Sequence, residues 1–441
     1  MKLKSIAFFM MVGFVYATVP FTAEFGFGGT VALAAEEQKK QKTRRVPSMS
    51  ETTFKRLSEA QEFLDLKDYS SALQVLSKML DRRRRLNGNE IGQVHNMQGF
   101  VYFSMEDYDK AILAYEKVVA QGDEIPEGLE TTTLYTLAQL CFVVDRFDDA
   151  LRYMEIWISK AVNPGPGPRI FMGQVYYQKG DYPSAIVQIE LAIQVATERN
   201  TAIKENWWGL LNYLYFEEEN WPKVLEILEI LVRDFPKRDY WVRLAGVYGI
   251  RERDKEQLYA MEAAYTAGFL ELETDLRNLY GLLMQEEVPY RAAIVLDKAF
   301  KDGLVEKTAK NLQNLGQAWQ LAQEVDNAIG VYEEAGELSE DGKIFERLAN
   351  LYLDAGEFVK CVTAADNALD KGGLRKKQNT YVFRGMCLYE QKKLSAARSS
   401  FVSCRNESRR VKDDSGRRMC QQWITFIDNE SRRNRVLADA L

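Results

Sequence analysis

The chain has 441 residues, 28% of them charged and 46% hydrophobic, with only 10 prolines and a net charge of -6. So weak a net charge excludes a strong electrostatic field for nucleic acid or for an anionic membrane. The apolar content excludes a chain without a core, and the length suits two or three ordinary domains or one long solenoid.

The first segment reads as an export signal. Lys2 and Lys4 make a basic start, residues 6–19 are apolar and uncharged, and Ala32-Leu33-Ala34 offers small residues at the two positions that a signal peptidase reads. Residues 1–34 are therefore expected to be a signal peptide, cleaved after Ala34. Its apolar run is shorter than the ~20 residues of a membrane span, and no longer run follows. The expectation is an exported protein, periplasmic in a Gram-negative bacterium, and not integral to the membrane once the signal is removed. Residues 35–50, from Glu36-Glu37 through Lys39-Lys40 to Arg44-Arg45, read as a disordered basic leader.

From residue 51 onward, apolar positions follow helical spacing and a pattern recurs. A small residue is followed three positions later by a ring. A turn with its own ring comes next, and then an anchor, usually Ala, on a second helix. The anchors fall at Ala72, Ala111, Ala150, Ala185, Val224, Gln257, Ala292, Ala328, Cys361 and Ala397, a mean step of about 36 residues. Twelve residues before an anchor stand Ala60, Gly99, Ala138, Gly173, Ala245, Gly316, Ala349 and Gly385, expected to let paired helices approach, small residue against small residue. Rings expected to fill the space between hairpins are Phe63, Tyr102, Tyr176, Tyr215, Tyr248, Trp319 and Tyr352. Rings expected to close the turns are Tyr69, Tyr108, Phe147, Tyr182, Trp221 and Phe358. The pattern is weakest around Gln257 and Ala292. Two Pro/Gly seams, residues 161–169 and Lys371-Gly372-Gly373-Leu374, read as helix stops or bends. Residues 417–427 read as an amphipathic helix that dissolves from Asn429, so residues 406–441 are expected to form a capping helix and polar tail.

These residues resemble the tetratricopeptide repeat family. Its pattern is met at Trp208, Leu211, Tyr215, Leu228, Leu231 and Pro236, with Asn212 in place of the small residue. It is met again at Leu312, Leu315, Gly316, Trp319, Ala328, Tyr332 and Ala335. The resemblance implies an all-α fold, a right-handed superhelical solenoid of about ten helical hairpins over residues 51–405, and protein or peptide binding in a concave groove. Counting from the register, the groove candidates are Asn96, Phe100, Phe103, Tyr135, Gln139, Phe142, Gln174, Tyr177, Tyr213 and Phe216. Rings supply apolar area and amides can bond an extended backbone. The later hairpins place Gln313, Gln317, Gln320, Glu346 and Asn350 at comparable positions.

Chemistry is sparse. His95 is the single histidine, which excludes a catalytic triad or zinc-protease helix built on a histidine elsewhere. There is no phosphate-binding G-x-x-x-x-G-K-[ST] and no CxxC, so no enzyme activity, cofactor or metal is expected. The run Glu217-Glu218-Glu219 reads as a solvated helix end. Of the five cysteines, Cys404 and Cys420 are the first candidate disulfide, Cys361 and Cys387 the second, and Cys141 is left over.

A closer resemblance rests on Arg44-Arg45-Val46-Pro47-Ser48-Met49, residues 361–374 and Gln421-Gln422-Trp423-Ile424. These stretches are similar to exported tetratricopeptide proteins that accompany TonB–ExbB–ExbD systems. That resemblance implies a periplasmic accessory of energy-coupled uptake, with partners among the components of that complex. The alternative function is an envelope assembly factor that binds polysaccharide or a lipid-linked complex.

Overall fold

The computed structural model describes residues 44–81 and 85–439. The expected signal peptide and the leader up to residue 43 lie outside the described residues. Two compact units are present, one ending at Thr133 and the other beginning at Leu134. The described residues form 21 α-helices, with a short 3-10 turn at Gly122–Glu124, and no strand.

The first unit holds hairpins α1 (Glu51–Asp65) with α2 (Tyr69–Asp81) and α3 (Gly88–Ser104) with α4 (Tyr108–Val119). The division between the units falls within α5 (Glu127–Val143). In the second unit the part of α5 from Leu134 on meets α6 (Phe147–Lys160), and α7 (Gly167–Lys179) pairs with α8 (Tyr182–Glu198). Then come α9 (Glu205–Glu217) with α10 (Trp221–Asp234), and α11 (Arg238–Ile250) with α12 (Asp254–Thr266). Next are α13 (Glu273–Gln285) with α14 (Pro289–Lys301), and α15 (Ala309–Leu321) with α16 (Val325–Leu338). The last pairs are α17 (Lys343–Asp354) with α18 (Phe358–Lys371) and α19 (Lys377–Glu390) with α20 (Leu394–Arg410), followed by α21 (Asp414–Asp439).

Every hairpin turns in the same way. A residue with positive φ stands five positions before each anchor: Lys67, Glu106, Asp145, Gly180, Glu219, Glu252, Glu287, Gln323, Gly356 and Lys392. The next residue's amide reaches back five positions, as in Asp107 to the Tyr102 carbonyl (2.9 Å) and Asn220 to the Tyr215 carbonyl (2.9 Å). This left-handed closure satisfies the carbonyls that a helix end leaves open. At eight of these ten positions a side chain occupies a conformation that costs roughly 1 kcal/mol without glycine. The degenerate sixth and seventh repeats obey the same geometry, at Glu252 and Glu287.

Helix pairing differs from the small-against-small expectation. A Cβ on Gly99 would lie 2.7 Å from the Tyr115 ring, one on Gly316 2.7 Å from Tyr332, and one on Gly385 2.8 Å from Phe401. A Cβ on Gly173 would likewise lie 2.7 Å from Ile189. Each large partner is sixteen residues on, one helical turn beyond the anchor, so the small residue receives a large side chain. Where Asn212 replaces the small residue, its amide donates to the Val224 carbonyl at 3.0 Å, which satisfies a buried polar group. Between hairpins, Tyr215 donates to Glu190 at 2.5 Å and Tyr248 to Glu229 at 3.1 Å, and Tyr352 donates to Glu333. Burial first, and then the Glu190 carboxylate, push the Tyr215 hydroxyl well above its ordinary range.

Residues 44–50, placed within the leader by the sequence reading, are held against the first unit. The Arg44 guanidinium meets Glu130 at 2.9 Å and Asp123 at 3.0 Å. Asn87 and Asn89 donate to the Ser48 and Pro47 carbonyls. The Ser50 hydroxyl and amide both donate to Glu90, at 2.7 and 2.9 Å. Burial works to raise the Glu90 carboxyl, but the bonds from Ser50, Asn87 and Thr53 outweigh it and hold its pKa at about 2.

At the other end, Cys361 is bridged to Cys387, joining α18 to α19, and Cys404 to Cys420, joining α20 to α21. Cys141 is fully buried. The Lys371–Leu374 seam is a closed junction: the Gly342 amide donates to the Gly372 carbonyl (2.8 Å), and the Lys371 ammonium donates to the carbonyls of Gly336, Glu337 and Ser339. The apolar face of α21 buries Cys420, Ile424 and Ile427, and Trp423 stacks on Phe401 at 5.1 Å. Helix α21 does not dissolve at Asn429 but runs on to Asp439. Extending a formed helix costs little, and Arg433 pairs with Glu430 one turn back.

Candidate functional site

Four successive first helices carry a ring eight residues before the anchor, and each meets the ring that opens its partner helix. In the first unit Phe103 lies 6.0 Å from Tyr108. In the second, Phe142 lies 6.0 Å from Phe147, Tyr177 stacks at 6.0 Å on Tyr182, and Phe216 meets Trp221 edge-on at 5.3 Å. Five residues separate the members of each pair, and the left-handed turn between them brings the rings together. Offset and edge-on pairs of this kind add about 1 kcal/mol beyond their burial.

Further rings extend two of these pairs into clusters in the second unit. Tyr135 meets Trp157 edge-on at 5.4 Å and Phe171 at 6.1 Å, and Phe171 meets Phe142 edge-on at 5.6 Å. Tyr177 meets Tyr213 edge-on at 5.8 Å. Phe171 and Trp157 were not among the expected residues. Phe171 stands fourteen before its anchor, one position off the counted stripe, and Trp157 is on a second helix. Register counting alone had no reason to include them.

The expected residues separate by exposure. Tyr135, Gln139, Phe142, Gln174 and Tyr177 are half-buried, as are Asn96 and Phe103 in the first unit. Phe100 packs against the first unit's core and belongs to it as much as to any surface. Tyr213 and Phe216 stand out at 40% and 43% exposure. Desolvation first, and then the charge of Glu217, push the Tyr213 hydroxyl up to about 12, so it stays a neutral donor near neutral pH. What this face offers is ring area, neutral hydroxyls and amides. It suits holding a segment by shape and hydrogen bonds.

Later hairpins differ. Gln320 accepts from the Tyr332 hydroxyl (3.3 Å), Glu346 from Thr380 (2.7 Å), and Asn350 donates to Asp354 (3.3 Å). A cavity of about 340 Å³ opens by Arg277, Asn278 and Asn314, beside Tyr280, whose hydroxyl donates to the Asn314 carbonyl. Tyr280 stands twelve residues before its anchor, where every other hairpin but that of Asn212 has a small residue. His95 is buried, with Nδ1 2.9 Å from Gln98 Oε1. Among the described residues no His, Cys, Asp and Glu group is arranged to hold a metal ion, and no helix is long and apolar enough to cross a membrane.

Residues 92–120, covering most of α3 and all of α4, match the family model for the tetratricopeptide repeat. Among solved structures, a tetratricopeptide repeat protein from Parabacteroides merdae aligns at 14% identity and TM-score 0.35, over 68% of this chain and 99% of that one. The TPR2AB-domain:pHSP90 complex of yeast Sti1 aligns at 14% identity and TM-score 0.26, over 68% and 99%. YrrB, described as a TPR protein with an unusual peptide-binding site, aligns at 18% identity and TM-score 0.33, over 42% and 87%. No curated protein sequence matches the chain.

Proposed function

We propose that this chain, whose residues 92–120 match the tetratricopeptide repeat model, is an exported scaffold that holds extended protein segments on the first-helix face of hairpins α5–α6 through α9–α10. One observation carries the reading. The rings of that face are braced by one another, yet Tyr213 and Phe216 remain open to a partner. Braced rings lose little further freedom on binding, so their apolar area converts to affinity at low entropic cost. Gln139 and Gln174, half-buried on the same face, are placed to bond a peptide backbone.

Export is supported by the segment of residues 1–34 and by the two disulfides at the C-terminal end, which persist in an oxidising compartment. Within that compartment the role proposed is that of an accessory to a TonB–ExbB–ExbD uptake system, motivated by the short stretches of likeness described above. A photo-reactive phenylalanine at position 213 tests the binding face, with position 259 as the control, because Tyr259 is 62% exposed on the second helix α12. Envelope-protein adducts at 213 and none at 259 are expected. Equal labelling at both, or retention of glycans in place of proteins, would overturn the reading.

A further inference from the structure

A second surface lies on hairpins α15–α16 and α17–α18, away from the ring clusters. A cavity of about 560 Å³ runs between α16 and α18. Its floor is Phe345, Leu348 and Tyr352 of α17, and Val359 on its edge is 69% exposed. Its α16 wall carries Glu333 and Glu337. Glu333 accepts from the neutral Tyr352 hydroxyl, and neither carboxylate has an ion pair among the described residues. Three cations stand close by, and Lys360 itself lines the slot. Lys307 pairs with Glu334, Lys360 lies over the Tyr352 ring beside Glu357, and Lys371 caps the carbonyls that end α16. The result is an apolar slot with three carboxylates on its α16 wall, two of them outside any ion pair among the described residues, against one lining ammonium, Lys360, and with Lys371 over the Phe345 ring.

The same chain carries a complement. Beyond Ile427, which α21 buries fully, the helix continues to Asp439, and residues 428–436 are half-buried or exposed. Arg432, Arg433, Arg435 and Val436 are all exposed on this extension, Val436 at 62%. Arg432 and Arg435 have no ion pair among the described residues. A helix end with three guanidinium groups and an apolar residue has the charge and the shape that the slot lacks. Opposite charges steer the encounter and fix its register, and buried apolar contact supplies the affinity.

We propose that the basic end of α21 of one copy seats between α16 and α18 of a second copy. Each copy owns both halves of the contact, so a two-fold arrangement lets the pair exchange ends and close as a dimer. The ring face proposed for partner segments takes no part in this contact.

The test is sedimentation equilibrium of the oxidised mature chain at low and high salt. The variants are deletion of residues 431–441, Glu333→Lys with Glu337→Lys, and Arg432→Glu with Arg433→Glu and Arg435→Glu. A dimer that weakens with salt is expected, and each variant should weaken it at least about tenfold, in line with loss of a close charge pair. The combination of both charge reversals should restore it. A chain that stays monomeric up to about 100 µM would overturn the proposal, even if some other basic peptide occupied the slot. A dimer indifferent to the deletion would overturn it equally, because self-association would then lie elsewhere.

Discussion

Hairpins α5–α6 through α9–α10 and hairpins α17–α18 through α19–α20 obey one register and use their aromatic residues in opposite ways. In the earlier group, rings eight residues before the anchor pair across the turn and leave Tyr213 and Phe216 near the surface. In the later group the equivalent Tyr389 turns inward to Trp423 and Phe426 of α21, and Phe401 is fully buried beneath Trp423. Two disulfides then tie the later helices together, whereas the earlier ones have none. The repeat therefore fixes where a ring stands and leaves its use to the neighbours. With a following hairpin the ring remains on a face, and with a capping helix it becomes core. In a stacked array each repeat is stabilised mainly by its neighbours, so the final one needs a substitute for the partner it lacks.

The contrast breaks most severely at Phe401. Phe401→Ala should cost about 4 kcal/mol, since the ring is buried against Gly385 and Trp423. The measurement is urea unfolding followed by Trp423 fluorescence in a chain with the other tryptophans replaced, and a loss below about 1 kcal/mol would contradict the packing described.

Replacing Cys361 and Cys387 together by Ser opens a loop with a sequence separation of 26 and should cost about 3 kcal/mol. Limited proteolysis should then cut first within α19 to α21 and spare α7 to α10. Uniform cutting would show that the staple is not local.

The first unit is held by charge where the last helices are held by covalent bonds, so acid should tell them apart. Folding lowers the Glu90 pKa from 4.5 to about 2, so its contribution is complete above the unfolded value and fades as pH falls from 4.5 towards 2. Glu90→Gln should cost up to about 3 kcal/mol at neutral pH and progressively less across that window. Amide exchange at Ser50 reads this directly, and a pH-independent difference would argue against the ionised carboxylate as the cause.

The smallest effect belongs to the exposed rings. Phe216→Ala should change stability by only about 1 to 2 kcal/mol, the worth of the pair with Trp221 and of the buried part of a ring that is 43% exposed. A loss comparable to that at Phe401 would erase the distinction between the two groups.

Much of this was legible in the sequence, for a physical reason. The register of Ala, Gly and aromatic positions predicts hairpins because two helices joined by a tight turn bury the same few positions each time. The left-handed residue five before each anchor shows that even Gln257, an anchor with no small residue, was placed correctly. The expected approach of small residue to small residue failed at Gly99 and Gly316, because a hairpin leaves room for a ring one turn beyond the anchor. Phe171 and Trp157 escaped because a stripe counted on one helix cannot show which rings of the next will reach it.

Sequence alone determined the helical class, the repeat and its turns, since these depend on contacts within some 36 residues. Only the tertiary structure decided the rest. It placed residues 44–50 against α3, gave α21 its extension past Asn429, and sorted rings of identical register into core and surface. Those outcomes depend on which elements become neighbours, and burial, unlike helical periodicity, belongs to the neighbourhood and cannot be read from the residue.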